Sequence, residues 1–147
     1  MANLAAGIPC PSHAYVPGLN ARHPEDWFDP IKDTARPGMD ADALGQSRAL
    51  VVGLAYLDAG YFWECHEVLE AVWMALPDGA PERAMVQAII QLANARLKLK
   101  MNRPRAVLRL CDIVEGHLAD ARCANPAFGL DPTIMAQSVA ETRRAAI

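Results

Sequence analysis

The sequence predicts an all-α fold: a compact bundle of about five helices with an extended, proline-rich N-terminal arm. Three observations carry that expectation. Apolar residues recur with helical spacing from residue 41 onward. No segment keeps the two-residue alternation of a strand for long. Proline is concentrated at one end, with Pro9, Pro11, Pro17, Pro24, Pro30 and Pro37 accounting for six of the eleven. The 147 residues suit one domain, read as an arm over 1–40 packed on a helical bundle over 41–147. At this size folding buries about 68–70% of the unfolded surface, so neither a disulfide nor a metal is needed merely to fold.

Proline fixes φ and removes a backbone donor, which makes the arm extended and rich in turns. Tyr15, Val16, Trp27, Phe28 and Ile31 give it apolar side chains in search of a surface, with Trp27 and Phe28 as anchors. Between them lies Arg22-His23-Pro24-Glu25, where Pro24 forces His23 into an extended conformation. Folded over the second helix, this segment would let Arg22 pair with Glu67 or Glu70. The plainer alternative leaves Arg22 and Glu25 solvated.

Five helices follow in order. The first is expected over 42–59, capped by Asp40 or Asp42 and ended by Gly60 in the left-handed conformation. The second covers 61–76 and stops at Pro77-Asp78-Gly79. Pro81 opens the third in its first turn, and it reaches residue 101. The fourth follows Pro104 to Arg122, and the fifth starts at the capping pair Asp131-Pro132 and ends at residue 145. Short connections make neighbours antiparallel.

The most informative stretch runs from Gly60 to Trp73. It places one imidazole, three carboxylates and two indoles on a helix that otherwise reads as core. Charged groups lose solvation among large apolar side chains, so the mixture asks for a reason. At about 100° per residue, Phe62, Leu69, Val72, Trp73 and Leu76 form the apolar centre, with Glu64 nearly opposite and solvated. His66 and Glu70 are spaced so that their side chains touch, between that centre and Trp63 and Met74. On the third helix, Glu82, Arg96 and Lys100 mark a pole that should face water. Gln87, Gln91, Asn94 and Lys98 form a carboxamide-rich stripe on the other side, expected to face His66 and Glu70 across the core.

Metal binding is one reading of this helix. His66-Glu67-Val68-Leu69-Glu70 is one letter from the zinc-protease motif H-E-x-x-H, with Glu70 in place of the second histidine. His66 and Glu70 can still supply two ligands to a divalent metal, with a third from His23 or His117. The di-iron spacing Glu-x-x-His is absent, since position 63 is Trp63. In acid–base chemistry, His66 held by Glu70 would be the base, and Glu67 or Gln91 would orient a substrate. No serine or cysteine nucleophile stands beside them, and Cys65 points elsewhere. The plain alternative is a structural His66–Glu70 hydrogen bond that fixes helix packing.

These residues resemble the Domain of Unknown Function 309 family. Its Gly-aromatic-aromatic-Glu-x-His-Glu-x-x-Glu-x-x-Trp helix is matched from Gly60 through Trp73, and its Gln-x-x-x-Gln-Leu-Ala helix by Gln87 to Ala93. An Asn-x-x-x-Ala-x-x-Leu corner is matched in part by Asn102 and Ala106, with Arg109 at the leucine position and Leu108 and Leu110 beside it. A Tyr-Val-Pro-Gly and Arg-His-Pro arm is matched by Tyr15 to Gly18 and Arg22 to Pro24. Cys65 stands where the family tends to carry a small residue. The resemblance covers residues 15–120, with His66, Glu70 and Trp73 its most specific part. It implies a compact all-α fold and no particular activity.

Composition excludes some classes. A net charge of −3 and a pI near 5.7 do not suit nucleic acid, and the arginines are dispersed among Asp112, Glu115 and Asp120. No uncharged run has membrane-spanning character, and the N-terminus lacks the basic start of a secretory signal. Cys10, Cys65, Cys111 and Cys123 form no C-x-x-C pair, which reads as reduced thiols in a cytoplasmic protein. An apolar helical chain is compatible with a homodimer, though no residue specifies one.

Two functions remain in view. The first is a non-catalytic module binding a small polar ligand or a protein partner, through His66, Glu70, Trp73, Gln87, Gln91, Arg22 and His23. The second is a metal-dependent hydrolase with His66 and Glu70 as ligands and Glu67 as base.

Overall fold

A computed structural model describes residues 4–121 and 127–147; Arg122 and Cys123 lie outside them. Among the described residues the regular elements are all helical. In chain order they are α1 (Asp29–Lys32), α2 (Ala41–Gly45), α3 (Arg48–Ala59), α4 (Phe62–Ala75), α5 (Pro81–Lys100), α6 (Pro104–Asp120) and α7 (Pro132–Ala145), with a 3-10 turn, Ala127–Gly129, before α7.

The expected first helix is two. Ser47 is extended at φ −64° and ψ 147°, and its Oγ accepts from the backbone N–H of Leu50, so the chain restarts there as α3. Asp40 caps α2 by accepting from Ala43 N–H at 2.8 Å. The other boundaries follow the local chemistry already read. Gly60 closes α3 at φ 90°, where a side chain would be strained, and α4 begins immediately. Proline occupies the first turn of α5, α6 and α7, and Asp131 caps the last of these.

The long helices pack as consecutive neighbours: α3 on α4, α4 on α5, α5 on α6, and α6 on α7. Val52, Val68, Leu69, Val72, Met85, Val86, Val107 and Val114 are wholly buried between them. At Gly53 the α3 backbone comes so close to α4 that an added Cβ would stand 2.3 Å from Leu69 Cδ2. Helix α5 is covered by α4, α6 and α7 together. Its expected water-facing pole is mixed: Lys100 is exposed, while Glu82 and Arg96 are half-buried. Ile89 and Ala93 are buried, and Arg96 Nε donates to Thr142 Oγ1 of α7 at 3.3 Å. Gln87, Gln91, Asn94 and Lys98 are half-exposed as well.

Residues ahead of α2 lie against this stack. Phe28 and Ile31 are buried in the core cluster. Tyr56 Oη donates to the carbonyl of Pro9, and Arg48 Nη2 to that of Gly7, each at 2.7 Å. Burial pushes the Tyr56 phenol well above its usual range, and the Glu64 carboxylate pushes it the same way. Among the described residues, no helix is long and apolar enough to cross a membrane.

Candidate functional site

Glu64, expected in solvent, is completely buried. The inward side of α4 is Glu64, Cys65, Val68, Leu69, Val72 and Leu76. That face is rotated by roughly 60° from the one inferred from the aromatic residues, at about 100° per residue. Phe62 and Trp73 are half-buried at its margin. The cause is long-range. The chain before α1 covers the flank of α4 that an isolated helix would leave wet.

Glu64 fastens that cover. Its Oε2 accepts from the Tyr15 backbone N–H at 2.8 Å and lies 2.6 Å from His23 Nε2. The His23 side chain is 2% exposed and the Glu64 side chain 0%. A buried carboxylate can only accept when ionised, so the His23 nitrogen facing it carries the proton. Oε1 of Glu64 is buried with no donor among the described residues. Aromatic rings enclose the imidazole: His13 stacks on it at 4.6 Å between centroids, and Trp27, Phe28, Tyr15 and Trp63 surround it within 6.4 Å.

His23 is also part of the wall of an open cleft of about 420 Å³ between residues 22–32 and α4. Arg22, Glu25, Asp26, Asp29, Lys32 and Glu67 contribute the remaining polar lining, and Phe28 and Trp63 the aromatic lining. Arg22 was expected to pair with Glu67 or Glu70. Its guanidinium instead lies over the Trp63 ring, 5.4 Å from the centroid. Lys32 takes the partner role, with Nζ 3.0 Å from Glu67 Oε1 and 3.9 Å from Asp29.

His66 and Glu70 do touch, at 3.3 Å between Nε2 and Oε2, but they face outward, with side chains 28% and 50% exposed. With Glu67 they form a group of three whose candidate ligand atoms all lie within 4.8 Å of one another. The third donor is thus Glu67, one residue from His66. His23 is held by Glu64, and His117 lies elsewhere, so neither completes the set as expected. His66 Nδ1 is buried without a partner among the described residues.

The remaining residues of the expected site are dispersed. Trp73 and Gln87 line a second cleft of about 450 Å³, together with Arg83 and His117. There Arg83 lies over the Trp73 ring at 4.0 Å. Gln91 accepts from Asn94 on its own helix at 3.2 Å, and neither cleft includes it. Among the described residues, no hydrogen bond joins the carboxamide stripe to His66 or Glu70. Cys65 is sealed in that core, and burial raises its thiol far above the usual range.

Sequence reasoning missed Glu64 as a partner of His23. The signal available was a histidine locked before proline on an arm with aromatic anchors, facing a helix with one carboxylate too many. No match was found among curated proteins or among solved structures. The family model described as Domain of unknown function (DUF309) matches residues 50–110, from α3 into α6, whereas His23 and its neighbours precede the match. Over that span the chain is similar to the DUF309 family.

Proposed function

We propose that the chain is a non-catalytic binding module for a small polar ligand, seated in the cleft between residues 22–32 and α4. The observation that carries this reading is the buried His23–Glu64 pair at 2.6 Å in the cleft wall. It fixes a polar group at the edge of a cavity in an otherwise apolar setting, which is how small-ligand sites gain orientation. The cleft volume of about 420 Å³ suits a metabolite-sized molecule. Of the residues first inferred, Arg22, His23 and Glu67 serve this cleft, while His66 and Glu70 lie beside it on the same helix. The test is amide NMR of the full chain with a panel of amino acids, amines and organic acids. Shifts grouped at residues 22–32 and 63–67 support the reading. Shifts grouped at the Trp73–Gln87 cleft, or none, overturn it.

A second reading, a metal-dependent hydrolase, is favoured by the convergence of His66, Glu67 and Glu70. Their donors suit a divalent cation in type and reach, and three protein ligands with an open position is the pattern of catalytic zinc. Such a cation would lower the pKa of a bound water. Two local features oppose it. Lys32 already neutralises Glu67, and His66 Nδ1 has no acceptor among the described residues to steady the ring as ligating histidines require. Elemental analysis of protein purified without an affinity tag decides it: near-stoichiometric zinc, iron or manganese supports the hydrolase, and none rejects it.

A further inference from the structure

We infer that the His23 cleft takes a small organic ammonium ion, one N–H of which donates to His23 Nδ1; this rests on the binding-module reading above and names its ligand class. The imidazole has two nitrogens and Glu64 occupies one of them. In the tautomer with its proton on Nε2, directed at the carboxylate, the lone pair is at Nδ1. That atom makes no hydrogen bond among the described residues and is not sealed from solvent, and the ring lines the cleft. The side chain around it is 2% exposed, so Nδ1 is a fixed acceptor at the cleft wall.

Charge and aromatic surface select the donor. The lining carries two cations, Arg22 and Lys32, against four carboxylates, Glu25, Asp26, Asp29 and Glu67. Lys32 is already engaged by Glu67 and Asp29, which leaves Glu25 and Asp26 as uncompensated anions at the rim. A carboxylate or phosphate ligand would meet that negative field, whereas a cation is drawn in by it. Trp63 lines the same cleft, and its indole is a cation-binding surface that already carries the Arg22 guanidinium at 5.4 Å from the centroid. A bare metal ion fits less well, because the three-ligand group among the described residues is His66, Glu67 and Glu70, without His23. Acceptor, field and ring together specify an organic cation that still carries an N–H.

The experiment compares two probes of equal charge, n-butylammonium and n-butyltrimethylammonium, with butyrate as an anionic control, titrated into the full chain. Binding is read from amide shifts and from the ring nitrogens of His23 by 15N NMR. The expected result is that the primary ammonium binds about tenfold more tightly than the trimethyl form, the size of one well-made hydrogen bond. The primary ammonium should also move the Nδ1 resonance, and Glu25→Gln combined with Asp26→Asn should weaken both cations alike. Equal affinity of the two cations overturns the role of Nδ1 and leaves the cleft standing as a ligand site. Binding of butyrate in preference to either cation overturns the ligand class alone. No binding of any probe, with no response to the wider panel, removes both readings.

Discussion

Replacing Glu64 by alanine tests the central claim about how the chain before α1 is held. The substitution removes the acceptor of two donors, the part-buried Tyr15 N–H at 2.8 Å and the buried His23 Nε2–H at 2.6 Å. Deleting the acceptor of a buried donor costs about 1–3 kcal/mol, because that donor is stranded without solvent. The Tyr15 amide adds a second orphan. Offsetting this, Glu64 Oε1 has no donor among the described residues, so the wild-type carboxylate itself is incompletely compensated. A net loss of about 3 kcal/mol is the result. His66→Ala is the matched control on the same helix. It removes an outward i, i+4 contact worth about 0.2–0.5 kcal/mol, and with partial ring burial the total should stay near 1 kcal/mol. Urea denaturation at constant m-value measures both. Limited proteolysis should also cut Glu64→Ala within residues 13–24 faster than the wild type, since both lost bonds end there. If His66→Ala is as damaging as Glu64→Ala, or Glu64→Ala costs under about 1 kcal/mol, the assignment of the buried pair is refuted.

Other expectations follow from the same geometry. Gly53→Ala would set a Cβ 2.3 Å from Leu69 Cδ2 and should cost about 1–3 kcal/mol by overpacking; an unchanged melting temperature would contradict the close α3–α4 approach. Mass mapping after Ellman's reagent under native conditions should find Cys10 modified and Cys65 and Cys111 protected, because Cys10 is exposed and the others are buried with raised thiol pKa values. Alkaline pH should destabilise the fold. Cys65 and Tyr56 stay protonated when folded but ionise near 9 and 10 once unfolded. The unfolded chain then binds fewer protons, so stability that is intact below pH 9 declines above it, by up to about 1.4 kcal/mol per pH unit for each group. A melting temperature flat to pH 11 would contradict this. Finally, Lys32→Ala frees Glu67 and should tighten manganese or zinc binding measured by calorimetry, if His66, Glu67 and Glu70 form a cation site at all.

Local signals were legible in the sequence and long-range coverage was not. Gly60, Pro81, Pro104 and the Asp131-Pro132 pair marked helix ends because capping and proline chemistry act within one turn. Ser47 was overlooked because the apolar pattern of residues 42–59 runs through it, although its hydroxyl is the N-cap of α3. The α4 face was misjudged for a different reason. A helical wheel weighs side chains as if solvent were the default neighbour, and here Tyr15 and His23 arrive from 49 and 41 residues away to dry out Glu64. Nothing in the spacing of α5 reveals that α4, α6 and α7 all cover it. Contact between His66 and Glu70 was foreseeable, since one helical turn fixes it, but which way the pair faced was not.

The Glu64 fastening has a consequence for the order of events during folding. Contacts between successive helices such as α3 and α4 close short loops, whereas joining His23 to Glu64 closes one of 41 residues. The helical stack should therefore assemble first, with its carboxylate still hydrated, and the leading segment should settle afterwards. Shedding that hydration shell is the toll of the final step, and it makes the N-terminal strap the natural point at which the native state first comes undone.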